Sequence, residues 1–325
     1  MFEVIDAHGH FVPSGLHDAV RCDPLLRDAV TVTVLADGSE ALRFPGIDWV
    51  RPMPRELNNP DMSLDWLDNK GIGRQIVGPW SDLFGYQLDS RAGERWCKVV
   101  NDLQIQELEH TARLIPLGIL PLQSPTLAAA EVNRTADLGF KGVTIGCRVG
   151  ELDLDDPQMD VVWATLAERG LPVVMHPAFH AHEARTSDLG LPNTIGRPHD
   201  TDIAVARLVL SGTLVRHPGS RLFLMHGGGS IPLLWGRLQR NHAISPETTD
   251  PELSIGRIWV DSVVYRPEAV KYLVETVGED HVLLGSDYPF PIMDPEPREV
   301  VENSALSPAI KDKILGGNAS TLFDL

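Results

Sequence analysis

Apolar residues along this chain fall in short runs closed by turn residues, and several of the runs follow a segment that opens with Pro and closes with Gly. Proline just inside the start and glycine just past the end mark a helix, because proline gives up an N–H that has no partner there and glycine tolerates the left-handed turn. Such segments run from Pro60 to Gly71, Pro125 to Gly139, Pro157 to Gly170, Pro267 to Gly278 and Pro308 to Gly316, with Asn59, Ser124, Asp156 and Ser307 as candidate N-caps. The apolar runs are residues 2–7, 75–77, 115–120, 143–145, 173–175, 222–225, 258–264 and 282–284. Apolar runs without polar alternation read as strands buried on both faces, so eight parallel strands are expected, seven of them preceded by a helix-like stretch.

Strands alternating with helices make a doubly wound sheet or a closed barrel. A dinucleotide-binding sheet would carry GxGxxG after its first strand. Here that strand runs into His8-Gly9-His10, and the expectation is a single (β/α)8 TIM barrel domain over 1–325. A long stretch separates His10 from the helix at Pro60. Within it, residues 31–35 and 41–44 flank Asp37-Gly38 as the arms of a hairpin would, which predicts a small β-rich insertion at about 12–58.

Barrel enzymes place their chemistry at the C-terminal ends of the strands. The first strand ends in His8 and His10, the fifth in His176, the sixth in His226 and the eighth in Asp287. Residues two apart on a strand share a face, so His8 and His10 can supply half of a metal site. A lone His-x-His is weak, and a lone His or Asp after a strand is more often a satisfied polar residue. Four strand ends with ligand-type groups carry more weight. His176 and Asp287 can complete a set of nitrogen and oxygen donors that suits Zn²⁺, with Mn²⁺ and Fe²⁺ as alternatives. Gly227-Gly228-Gly229 after His226 lets the backbone approach a neighbour closely or turn tightly into the next helix.

Composition narrows the partner. The 325 residues carry a formal net charge of −17, which argues against nucleic acid and anionic membrane but says little about a small substrate, since a few arginines in a cleft can hold an anion inside an acidic protein. No run of about 18 apolar residues predicts a membrane span. Cys22, Cys97 and Cys147 are scattered, which argues against a disulfide framework, and the N-terminal MFEVIDAHGH carries no secretory pattern; a cytoplasmic protein is expected. Neither GxSxG nor GxxxxGK[ST] occurs, which weakens serine-hydrolase and P-loop readings.

The stretches IDAHGHFVP, GILPLQSPTLAAAEV, LGFKGVTIGCRVGELDL, HGGGSIPLLWGRL and VLLGSDYPFP, in that order, resemble the amidohydrolase-related metal-dependent decarboxylases over nearly the whole chain. The resemblance implies His8, His10, His176 and Asp287 as metal ligands. It implies His226 and Asp287 as acid/base residues, Arg51 as a carboxylate contact, Arg237 as an arginine lent by the other subunit of a homodimer, and Phe290 as a gating aromatic. Two-metal relatives bridge their ions with a carboxylated Lys or a Glu at the fourth strand. Here Lys141 lies at the wrong end of that strand and Cys147 near the right one, which favours one metal. Ala178, Asn193 and Cys147 stand where the decarboxylases carry Trp, Trp and Thr, which moves the difference to the substrate side. Phe179 and Asn193 become candidate substrate contacts; for His180 and His182 a solvated loop is the first reading and substrate contact the alternative. The implied activity is non-oxidative decarboxylation of a small unsaturated or aromatic acid. The alternatives are a single-metal hydrolase (amide, lactone or C–C bond) or hydratase on the same scaffold, and a non-catalytic binding protein on a degenerate barrel.

Overall fold

A computed structural model describes residues 3–47, 52–178 and 184–325. Its parallel barrel strands are β1 (Ile5–His10), β2 (Arg74–Gly78), β3 in two pieces (Leu114–Pro116 and Gly118–Ile119), β4 (Val143–Ile145), β5 (Val173–Met175), β6 (Leu222–Leu224), β7 (Ile258–Asp261) and β8 (Val282–Leu283). β1 to the first piece of β3 form one sheet, and the second piece of β3 through β8 form another. The ring closes between its ends, where the Ala7 N–H donates to Leu284 O and Gly9 bridges to Tyr288 in parallel.

Alternation builds two packing layers. Val143, Ile145, Val173, Met175, Leu222, Leu224, Ile258 and Val260 pack outward with the helices in one cluster. The residues between them, Val174 and Phe223, join Ile5, Ile76 and Leu283 in a separate cluster. His176 has the parity of Val174, which is why it continues the inner row.

Helix ends follow their local chemistry. Asn59 accepts from the Asp61 and Met62 N–H groups and Gly71 closes the helix Pro60–Lys70 in the left-handed region (φ 61°). Asp156 caps a 3-10 turn, Pro157–Met159, that leads into the helix Asp160–Arg169. Ser124, expected as a cap, makes no side-chain capping bond.

Two expectations are corrected. β1 lies three residues later than the hydropathy run 2–7, so both histidines belong to the strand itself. Buried polar residues at its end hid the continuation. The segment after β1 is mixed, not β-rich. Helices Leu16–Cys22 and Pro24–Ala29 precede the antiparallel hairpin Thr31–Val34/Glu40–Arg43. Asp23 starts the second helix by accepting from the Leu25 and Leu26 N–H groups.

Candidate metal centre

β1 advances from Ile5 to His10 while its partner advances only from Arg74 to Gly78, so a bulge between Asp6 and Gly9 inserts one residue. Bulges re-aim side chains, and the buried Asp6 carboxylate fastens this one. It accepts from the His8 N–H (3.0 Å), Gln75 Nε2 (2.8 Å), the Ser286 N–H (3.1 Å) and Ser286 Oγ (2.5 Å). The bend ties β1 to the loop that carries Asp287, and the Asp287 N–H donates to His8 O.

The imidazoles of His8, His10, His176 and His226 meet there, with centroid separations of 4.9–5.4 Å where pairs are in contact. His8, His10, His176 and Asp287 are each at most 3% exposed. Asp287 Oδ1 lies 3.3 Å from His8 Nε2 and 3.1 Å from His10 Nε2, and Oδ2 lies 3.7 Å from His226 Nε2. Donor atoms about 2.0–2.1 Å from a tetrahedral ion stand about 3.3 Å apart, so the first two separations are edges of such a shell. His8, His176, His226 and Asp287 offer donor atoms all within 4.8 Å of one another, and no second group of this kind occurs among the described residues.

Chemistry as well as spacing fits a metal ion. His8 Nε2, His176 Nε2 and Asp287 Oδ2 are buried without a hydrogen-bond partner within the protein, and buried polar atoms are rarely left so. Burial disfavours a charged His8, but Asp287 and Asp261 override it and raise its pKa to about 10. Burial would also raise Asp287. The charge of His8 and the contacts of His10 and His226 instead hold it well below the usual carboxylate range. His176, buried and beside three other imidazoles, is pushed well below the ordinary histidine value. The site therefore keeps a cation against one carboxylate and a neutral imidazole ready to donate a lone pair.

Asp261, at the end of β7, was not singled out from the sequence. Its Oδ2 lies 2.6 Å from His8 Nδ1 and accepts from the His226 N–H (2.9 Å), and its Oδ1 accepts from the Gly227 and Val263 N–H groups. It fixes the His8 ring so that Nε2 faces the centre. The available signal was an aspartate inside the apolar run 258–264, at the same kind of strand end as the candidate ligands.

A cavity of about 330 Å³ opens beside the centre, lined in part by His226, Asp287, Asn193, Arg197 and Tyr265. Phe290 lies against the His10 ring at 4.8 Å and near Trp80 at 6.0 Å. Lys141 bonds Asp324 O, and Cys147 is buried beside Thr201. Arg237 is exposed on the helix Ile231–Ile244 and does not line this cavity. Within one chain it is therefore not brought to the cavity beside the centre. Arg51, Phe179, His180 and His182 lie outside the described residues.

The amidohydrolase family profile matches residues 5–325. The chain is 32% identical to the 2-amino-3-carboxymuconate-6-semialdehyde decarboxylase of Dictyostelium discoideum over 82% of its own length and 77% of that protein's. Among solved structures, the 5-carboxyvanillate decarboxylase of Sphingomonas paucimobilis superposes with a TM-score of 0.83 at 22% identity over the full length of both chains. A dihydroxybenzoic acid decarboxylase from Polaromonas, holding manganese and 2-nitroresorcinol, superposes at 0.79 with 20% identity, over 100% of this chain and 98% of its own. The barrel, together with a family match that spans β1 to the C-terminus, places this chain in the amidohydrolase family.

Proposed function

We propose that this protein is a metal-dependent carboxy-lyase that removes CO₂ without oxidation from a small unsaturated or aromatic carboxylic acid. The observation that carries the reading is the buried meeting of His8, His10, His176 and Asp287 at the rim of a barrel, in a chain 32% identical to a decarboxylase. Those four side chains would hold one divalent ion, Zn²⁺ by donor type, with Mn²⁺ and Fe²⁺ as alternatives and manganese present in a fold neighbour. When bound, that ion supplies Lewis-acid polarisation of a substrate oxygen.

The chain's own residues do the rest. His226 stands at the Oδ2 edge of Asp287, where it can hold a proton and deliver it to the carbon that bears the carboxylate. As that C–H bond forms, the C–C bond breaks, its electron pair returns to the conjugated system, and CO₂ leaves. Phe290 packs one wall of the centre against the His10 ring. Arg51, and Arg237 from the other subunit of a homodimer, would orient carboxylates, with Phe179 and Asn193 as further substrate contacts. Three free thiols, two of them buried, and the absence among the described residues of any helix long and apolar enough to cross a membrane suit a cytosolic setting.

The test is CO₂ release from a panel of hydroxybenzoates and muconate-type acids by metal-loaded protein in H₂¹⁸O. Stoichiometric CO₂ with no ¹⁸O in the organic product is expected. ¹⁸O in the product, with no CO₂, would establish a hydrolase or hydratase instead.

A further inference from the structure

Beyond the carboxylate contacts already named, the cavity beside the centre has a cation of its own. A π-helical turn, Pro192–Gly196, runs straight into the helix Arg197–Leu210. This segment forms a wall shared by two cavities. Asn193, Arg197 and Pro198 line the 330 Å³ cavity with His226 and Asp287, while Gly196, His199 and Asp200 line another of about 500 Å³ on the side of Tyr86 and Ala178. Among the described residues, Arg197 is the one lysine or arginine in the lining of the first cavity, and it is only 8% exposed. A guanidinium so far from water calls for anionic or polar company. Arg197 already takes part in an interaction within the protein. Its planar fork carries five donors, so one partner can steady it while it faces a ligand. The cavity volume is that of a site for a small ligand.

The reaction itself decides which group such an arginine should hold. Charge on the leaving carboxylate disappears as CO₂ forms. An arginine gripping that group would stabilise the substrate more than the transition state and slow the step. A carboxylate that survives the reaction keeps its charge throughout, so the same grip then orients without that penalty. Resting on the decarboxylase reading, we propose that Arg197 binds a second, non-reacting carboxylate, and that the preferred substrates are dicarboxylates.

Calorimetry on the metal-loaded protein tests this with two probes, 2-hydroxybenzoate and 4-hydroxybenzene-1,3-dicarboxylate. The wild type should hold the dicarboxylate about tenfold or more tightly than the monocarboxylate. Arg197→Gln should erase that preference and leave monocarboxylate affinity and metal content unchanged, with Arg197→Lys in between because it keeps the charge and loses the fork. A wild type that holds the two acids equally or not at all overturns the proposal, as does a variant that weakens both alike. A preference that depends on Arg197 in a protein that releases no CO₂ would instead count against the decarboxylase reading and leave the anion contact standing.

Discussion

His226 (φ 58°), Tyr265 (φ 57°) and Asp287 (φ 65°) hold backbone conformations that side chains resist, and all three line the cavity at the centre. Such strain costs on the order of 1–3 kcal/mol at each residue and persists only where neighbours over-determine it. Asp287 is tied through its N–H to His8 O, Tyr265 through its hydroxyl to Ile292 O, and His226 through its N–H to Asp261. Asp261 thus pins one strained residue and orients a ligand with the same carboxylate. In Asp261→Asn an amide NH₂ must face backbone N–H donors, so metal affinity should fall about 10–100-fold. Competition with a chelator measures this, and an unchanged affinity would contradict the role. Proton linkage gives a second prediction. With its pKa near 10, His8 carries a proton in the metal-free protein at neutral pH. A metal at Nε2 must displace that proton, so affinity should rise about tenfold for each pH unit between roughly pH 6.5 and 8.5. A flat profile would mean that His8 is not a ligand. The candidate ligands were visible in the sequence as His and Asp residues at four strand ends. The role of Asp261 was not visible, because it acts through contacts with His8, His226 and Gly227, which are distant from it in the chain.

At the scale of elements, the bulge in β1 does the aiming. Its two-residue histidine spacing was legible, but the extra residue that turns the pair was not, because it depends on Gln75 and Ser286 in other elements. Gly9 sits at the bend. A Cβ added there would lie 2.3 Å from Gln75 Cδ, on a side chain that is buried and bonded to Asp6. Gly9→Ala should therefore destabilise the protein by about 1–3 kcal/mol and reduce metal content at a fixed metal supply. Thermal unfolding and metal analysis read these separately, and a wild-type Tm would show that the bend is slack. The glycines after His226 have a comparable reason. A Cβ on Gly229 (φ 63°) would meet Pro198 O at 2.8 Å, directly after Arg197. The turn after His226 is thus held against the wall that carries the proposed anion contact. The hairpin of the insertion could be read from Asp37-Gly38, whereas its two helices are too short for periodicity to declare them.

At the scale of the whole molecule, the barrel was legible because parallel strands need apolar faces on both sides and helices between them, and both signals survive in the sequence. Association was not. Arg237 shares its exposed helix face with Leu233 and Ile244, which are 72% and 62% exposed. If a partner subunit receives Arg237, the particle in solution has a mass of 2 × 35.7 kDa = 71.4 kDa. Arg237→Ala should then lower kcat/KM about tenfold or more with no change in metal content. Light scattering and steady-state kinetics together check this; a fully active monomer would exclude a lent arginine. Beneath all of these lies the claim that residues from β1, from just past β5 and from the loop after β8 close around one ion. Anomalous diffraction from crystals of the metal-loaded protein tests it most directly. The account predicts one peak per chain, within about 2.0–2.3 Å of a donor atom from each of His8, His10, His176 and Asp287, and with His226 outside that shell. A peak elsewhere, two peaks, or His226 taking the place of His10 would contradict it.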